Sequence, residues 1–154
     1  MKKIFLFLLF PFASLAQQVE AVKFSFVDSL MKNNSDTTYV INFWATWCKP
    51  CVHELPGFEA VTTKYADKKI KVILISLDFK SQLGSRLIPF VKEKGLKSQV
   101  VLLNEPDYNS WIDKVDKSWS GALPATLLIN NSKHQHEFYE KEFTPEELNK
   151  LLNL

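Results

Sequence analysis

Both cysteines of this 154-residue chain lie in one four-residue segment, Cys48–Lys49–Pro50–Cys51. Two thiols in a C-x-x-C cooperate when the segment opens a helix. The first sulfur then sits beside backbone N–H groups without helical partners, at the positive end of the helix dipole, and both favour the thiolate. The second thiol, one turn on, can attack a mixed disulfide formed at the first and resolve it. The pair directly follows the β-branched and aromatic run 38–43, which predicts a buried strand. Cys48 is therefore expected at an exposed strand-to-helix turn as the attacking nucleophile. Cys51 is expected further in, as the resolving thiol. No separate cofactor is implied, since the redox group is the Cys48–Cys51 disulfide itself.

Other uses of the pair fit less well. A structural zinc site usually takes four ligands, and the chain has no second cysteine pair. His134 and His136 share a strand face, but their spacing departs from the usual ligand pattern, so no metal is expected. As a mere staple, the disulfide would close so short a loop that it restrains the unfolded chain little. A copper carrier would want a wider cysteine spacing and a suitably placed histidine. A peroxidase would want an isolated cysteine with its threonine.

The N-terminus places this chemistry. Lys2 and Lys3 precede the apolar run 4–10, and Ser14 and Ala16 supply the small residues that a signal peptidase inspects. Residues 1–16 read as a secretory signal peptide and 17–154 as one mature domain. The apolar run, interrupted by Pro11, falls short of the roughly 20 residues that span a bilayer. Loss of Lys2 and Lys3 leaves basic and acidic residues equal in number, so neither nucleic acid nor an anionic membrane surface is an expected partner. A disulfide-permissive, extracytoplasmic compartment is expected.

The elements that must position the cysteines follow from periodicity and turn chemistry. Strands are predicted over 19–24, 38–43, 70–77 and 99–103, with a hairpin of 126–129 and 135–139 across Asn130, Asn131, Ser132 and Lys133. Ser25 and Asp28 have the look of a capping box opening a helix through Val27, Leu30 and Met31. Further helices are predicted from the cysteines to about residue 66, over 82–94 closed by Gly95, and over 107–117. A last one opens at Thr144, with Pro145 at its first position and Glu147 completing a capping box. Alternating strands and helices, then a hairpin and a helix, imply one α/β domain with a central mixed sheet covered on both faces.

The segment Phe43–Trp44–Ala45–Thr46–Trp47–Cys48–Lys49–Pro50–Cys51 resembles the active-site segment of thioredoxin-fold proteins, and Asn42 before it resembles the exported TlpA-like and ResA-like branch. Pro56 matches the proline that kinks the active-site helix of that fold, bending it near Val52. Leu123–Pro124–Ala125–Thr126 resembles the family's cis-proline loop. Cys51-x-x-Glu54-x-Pro56 resembles the ResA-like pattern, in which the glutamate sits near the thiols. The resemblance covers residues 38–154. It implies a cis bond before Pro124 and pairing of the Leu123 backbone with extended substrate. It also implies that Glu54, on the same helix face as Cys51, is a partly buried carboxyl of raised pKa that exchanges protons with the thiols. Trp44 and Trp47 are expected to frame the site and pack beneath it, with Trp47 also on the substrate side, and Lys49, Pro50 and Pro56 to support it. His53 is expected on an exposed helix face, and Trp111 and Trp119 in the core or groove. The implied activity is thiol–disulfide exchange with exported proteins, as reductase rather than oxidase. One family task is reduction of apocytochrome c, with re-reduction by a membrane electron-transfer partner. A monomer is expected, and disulfide isomerase activity is not, because such enzymes usually add a dimerisation region for which no residues remain.

Overall fold

In a computed structural model of the chain, residues 18–152 are described, and the signal peptide expected over 1–16 lies outside them. The sheet is built around β2 (Thr38–Trp44), in which every residue is buried. Its side chains alternate between two cores: Val40 and Trp44 pack into one, Ile41 and Phe43 into the other. A strand buried on both faces reads as a continuous apolar run rather than an alternating one. The six strands run in the order β1 (Glu20–Val22), β4 (Gln99–Leu103), β3 (Ile70–Ser76), β2, β5 (Ala125–Asn130), β6 (Gln135–Tyr139). The first four are mutually parallel; β5 is antiparallel to β2, and β6 to β5. This is the mixed sheet that the sequence predicts.

Helices cover both faces. On one face α2 (Lys49–Lys64), α3 (Ile88–Lys94) and α5 (Pro145–Leu151) bury Leu55, Phe58, Val91 and Leu148 against Val72, Leu74 and Leu102. On the other, α1 (Phe24–Met31) and α4 (Ile112–Val115) bury Val27 and Val115 with Ile73, Ile75 and Leu127. The fit of α5 on α2 is close at Gly57, where an added Cβ would come within 3.0 Å of Leu148 Cδ1. The expected capping box is formed: Thr144 Oγ1 accepts from Glu147 N–H, and the Glu147 carboxylate accepts from Thr144 N–H. Thr144→Ala is expected to lower stability by about 1 kcal/mol, measured by urea unfolding. Gly95 ends α3 in the left-handed region at φ 62°, as its position predicts.

Three expected helices differ. Ser25 and Asp28 do not cap α1, which opens at Phe24 after Lys23 with no side-chain cap; Asp28 instead pairs with Lys32. Here packing of Phe24 on Trp111, ring centroids 6.0 Å apart, sets the helix start. The segment 82–94 is not one α-helix. A 3-10 turn (Lys80–Gln82) and a wide π turn (Leu83–Leu87) precede α3. Pro89 has no N–H to return to the Ser85 carbonyl, and a wide turn absorbs that break. The segment 107–117 shortens to a 3-10 turn (Tyr108–Ser110) and α4, interrupted at Trp111. The Trp111 ring is buried beside Phe43 and its indole N–H donates to Glu105 O, so tertiary packing overrides helix propensity.

Candidate functional site: the Cys48–Cys51 pair and its surroundings

Cys48 caps α2. Its backbone is extended (φ −86°, ψ 100°), and the Cys51 N–H points at its sulfur, N to Sγ 3.4 Å. Lys49 and Pro50 occupy the first helical turn, where a missing proline N–H costs nothing. The two sulfurs are joined in a disulfide. Cys51 is fully enclosed and Cys48 is 6% exposed. The expected exposed turn is thus narrower than the sequence implied, because the exposed residues there are Trp47, Lys49 and Pro50. Cys48 is nonetheless the more open sulfur. Trp44 packs beneath, with its ring against Phe90. Trp47 does not; it stands 54% exposed beside the cysteine.

A groove of about 680 Å³ opens on Cys48, walled by Trp47, Pro50, Tyr108, Ile112 and Leu123. The Leu123–Pro124 bond is cis. Among the described residues no hydrogen bond uses the backbone N–H or C=O of Leu123. The loop is held from behind. The Trp119 indole N–H donates to Ala122 O at 2.9 Å, and Ser120 donates from N–H and hydroxyl to Glu140. Gly121 provides the positive φ of 93° that the bend requires.

Glu54 is buried on the inner face of α2. Its Oε1 accepts from Asn42 Nδ2 at 2.7 Å and its Oε2 from the Phe143 N–H at 2.9 Å. Burial pushes the Glu54 carboxyl up to about 7. The two hydrogen bonds oppose that rise, and the nearby charge of Glu142 adds to it. Asn42 also donates to Thr126 Oγ1 at 3.1 Å, whereas its own Oδ1 is buried without a partner. The exposed His53 ring pairs with Glu142, which links this surface to the Glu54 neighbourhood. Pro56 lies within α2, which runs on to Lys64.

The structure thus brings Cys48, Cys51, Trp47, Leu123 and Pro124 to one end of the sheet, with Trp44 and Glu54 beneath. His134 and His136 lie toward the opposite end, since His136 pairs in register with Ile129 and Ile129 with Tyr39. His136 faces Asp116 at 3.3 Å. Trp111 and Trp119 are core residues packed against Phe43, and Trp119 also supports the groove loop. Sequence reasoning passed over Asp78 and the Phe143 N–H, and named Thr126 in the cis-proline loop without its bond to Asn42. Asp78 had a signal, an acidic residue closing the apolar run 70–77. A backbone donor carries none.

Residues 14–134 match the model of the AhpC/TSA family. The thiol-disulfide oxidoreductase ResA of Bacillus thuringiensis (strain Al Hakam) is 31% identical over 121 residues, 68% of this chain, and the match spans 62% of that relative's length. Two solved structures share the fold. A thioredoxin-related protein from Neisseria meningitidis serogroup B superposes with a TM-score of 0.65 at 18% identity, covering 77% of this chain and 84% of that one. StoA from Bacillus subtilis superposes at 0.58 and 21% identity, covering 77% and 84%. The architecture is the thioredoxin fold, and the chain belongs to the AhpC/TSA family, with its sequence similarity running to thiol–disulfide oxidoreductases of the ResA kind.

Proposed function

We propose that this chain is a thiol–disulfide oxidoreductase that reduces disulfides of exported proteins. The observation that carries the reading is the placement of Cys48 at the cap of α2, on the Cys51 N–H and open to the groove at Leu123. In the reduced state that N–H and the helix dipole favour the Cys48 thiolate. The thiolate attacks one sulfur of a substrate disulfide, and the other substrate sulfur leaves as a thiolate and takes up a proton. Cys51 then attacks Cys48 Sγ and releases the second substrate thiol. Two electrons have passed to the substrate, and the Cys48–Cys51 disulfide is restored. Leu123 offers its unused N–H and C=O to an extended substrate segment, and Trp47 forms one wall.

Glu54 accepts the proton that Cys51 must lose before it attacks. A carboxyl poised near neutrality suits that exchange. Asn42, Trp44, Lys49, Pro50 and Pro56 shape the turn and helix around these groups. The leader-like residues 1–16 support export, and among the described residues no helix is long and apolar enough to cross a membrane. The resemblance of the Cys51-x-x-Glu54-x-Pro56 pattern to the ResA-like branch is what supports the reductase direction, re-reduction by a membrane electron-transfer protein, and apocytochrome c as one substrate. The domain acts as a monomer.

Insulin reduction tests the reading. With dithiothreitol as electron source, the chain is expected to hasten precipitation of the insulin B chain well beyond dithiothreitol alone. A rate equal to dithiothreitol alone rejects the activity. Faster reoxidation of a reduced, unfolded protein than reduction of its disulfides would reverse the direction.

A further inference from the structure

We propose that Asp78 is a positioning residue for Cys48, acting through the turn that joins β2 to α2. This rests on the reading of Cys48 as the attacking thiol. Asp78 lies just beyond β3 and is 2% exposed. A carboxylate so enclosed persists where donors surround it, and here it has three from two residues. The Thr46 N–H donates to Oδ2 at 3.0 Å, the Thr46 hydroxyl to Oδ1 at 2.6 Å, and the Ser76 hydroxyl to Oδ2 at 2.7 Å. The Asp78 N–H in turn donates to Ser76 Oγ at 3.1 Å, so the acceptor is itself fixed to the end of β3.

Thr46 stands two residues before Cys48. The chain on either side of it is tied as well: Trp44 O accepts from Leu77 N–H at 2.8 Å, and the Cys48 N–H donates to Ala45 O at 3.1 Å. Among the described residues, Asp78 is the sole side chain that hydrogen-bonds the 45–47 turn. It therefore couples the end of β3 to the residues that present Trp47 and set Cys48 Sγ on the Cys51 N–H. Thiolate stabilisation at a helix start falls off within the first turn, so a small displacement of the sulfur is felt in its reactivity.

The test is the rate of Cys48 alkylation by iodoacetamide against pH in the reduced protein, where the enclosed Cys51 is slow to react. Asp78→Ala is expected to slow the reaction at pH 7 by about tenfold, with the midpoint moved up by about one pH unit. Asp78→Asn is expected to stay within about twofold: its amide oxygen can accept from Thr46 N–H and the Ser76 hydroxyl, while the Thr46 hydroxyl turns to accept from Nδ2. Equal shifts in the two variants would mean that charge, not positioning, is at work and would overturn the proposal. So would an Asp78→Ala protein with lowered Tm and an unmoved midpoint. If Asp78→Ala does not fold, Thr46→Val removes the hydroxyl bond alone and is expected to slow alkylation about threefold; an unchanged profile then overturns it. No protein substrate enters this assay. A wild-type chain inert towards insulin rejects the activity, whereas a wild-type midpoint near the ordinary cysteine value of about 8.5 rejects Cys48 as an activated thiol.

Discussion

Cys51→Ser should convert a fleeting intermediate into a stable product, with exported partners recovered covalently bound through Cys48. The reason lies in the unequal burial of the two sulfurs. Cys51 is fully enclosed, and Cys48 faces the groove beside Trp47 and Leu123. A substrate disulfide therefore meets Cys48 first. Once the mixed disulfide has formed, the one thiol placed to break it is Cys51, a helical turn below. A serine there has no sulfur to attack with, so the adduct persists. Non-reducing electrophoresis, with and without dithiothreitol, checks this. Insulin reduction should fall to the level of dithiothreitol alone in both Cys51→Ser and Cys48→Ser, but only Cys51→Ser should accumulate adducts. Adducts in Cys48→Ser instead would exchange the roles of the two cysteines. None in either would count heavily against exchange at this site. A membrane electron donor and an apocytochrome among the adducts would support the proposed pathway.

The cysteine pair was readable because its chemistry is local. Spacing, the strand before it and the helix after it are all contiguous, and the expected strands 38–43, 126–129 and 135–139 agree within a residue with β2, β5 and β6. The capping box at Thr144 was readable for the same reason. Glu54 was found because a helix brings residues three apart to one face. What escaped was set by contacts distant in sequence. The start of α1 follows from Phe24 on Trp111, and the break before α4 from burial of the Trp111 ring. Asp78 reaches back 32 residues to Thr46, and the Phe143 N–H reaches 89 to Glu54. Asp78 shows locally only as an acidic residue after an apolar run, which does not name Thr46 as its partner, and a backbone N–H leaves no pattern at all. Trp47 went partly astray because an aromatic residue beside a site serves equally as floor or as wall. Its exposure beside Cys48, on the lining of the groove, places it as a wall.

Glu54→Gln should flatten the pH dependence of stability and slow the second half of the reaction. In the unfolded chain Glu54 titrates near its ordinary value of 4.5; in the fold it titrates near 7. The native state thus holds this proton more tightly, so the group's effect on stability is a loss as pH rises from about 4.5 to about 7, complete above that. At roughly 1.4 kcal/mol per pH unit the loss is on the order of 3 kcal/mol. Urea unfolding of the oxidised protein at pH 5 and pH 8 reads it with neither cysteine titrating. Wild type should lose more stability across that interval than Glu54→Gln, by about this amount, since the three histidines are common to both. The glutamine has a way to fit. Rotation of the Asn42 amide would turn its unpartnered Oδ1 towards the new Nε2, and the Thr126 hydroxyl could then donate to that same oxygen. The catalytic consequence follows from the same carboxyl. Cys51 is fully enclosed, and Glu54, three residues on, lies on the same face of α2. Without a group to receive the proton, the resolving thiolate forms less often and the mixed disulfide lives longer. Stopped-flow release of substrate thiol should slow in Glu54→Gln with its inflection near pH 7 lost, while the first attack by Cys48 is less affected. Identical pH slopes in stability and in release would remove Glu54 from the proton path.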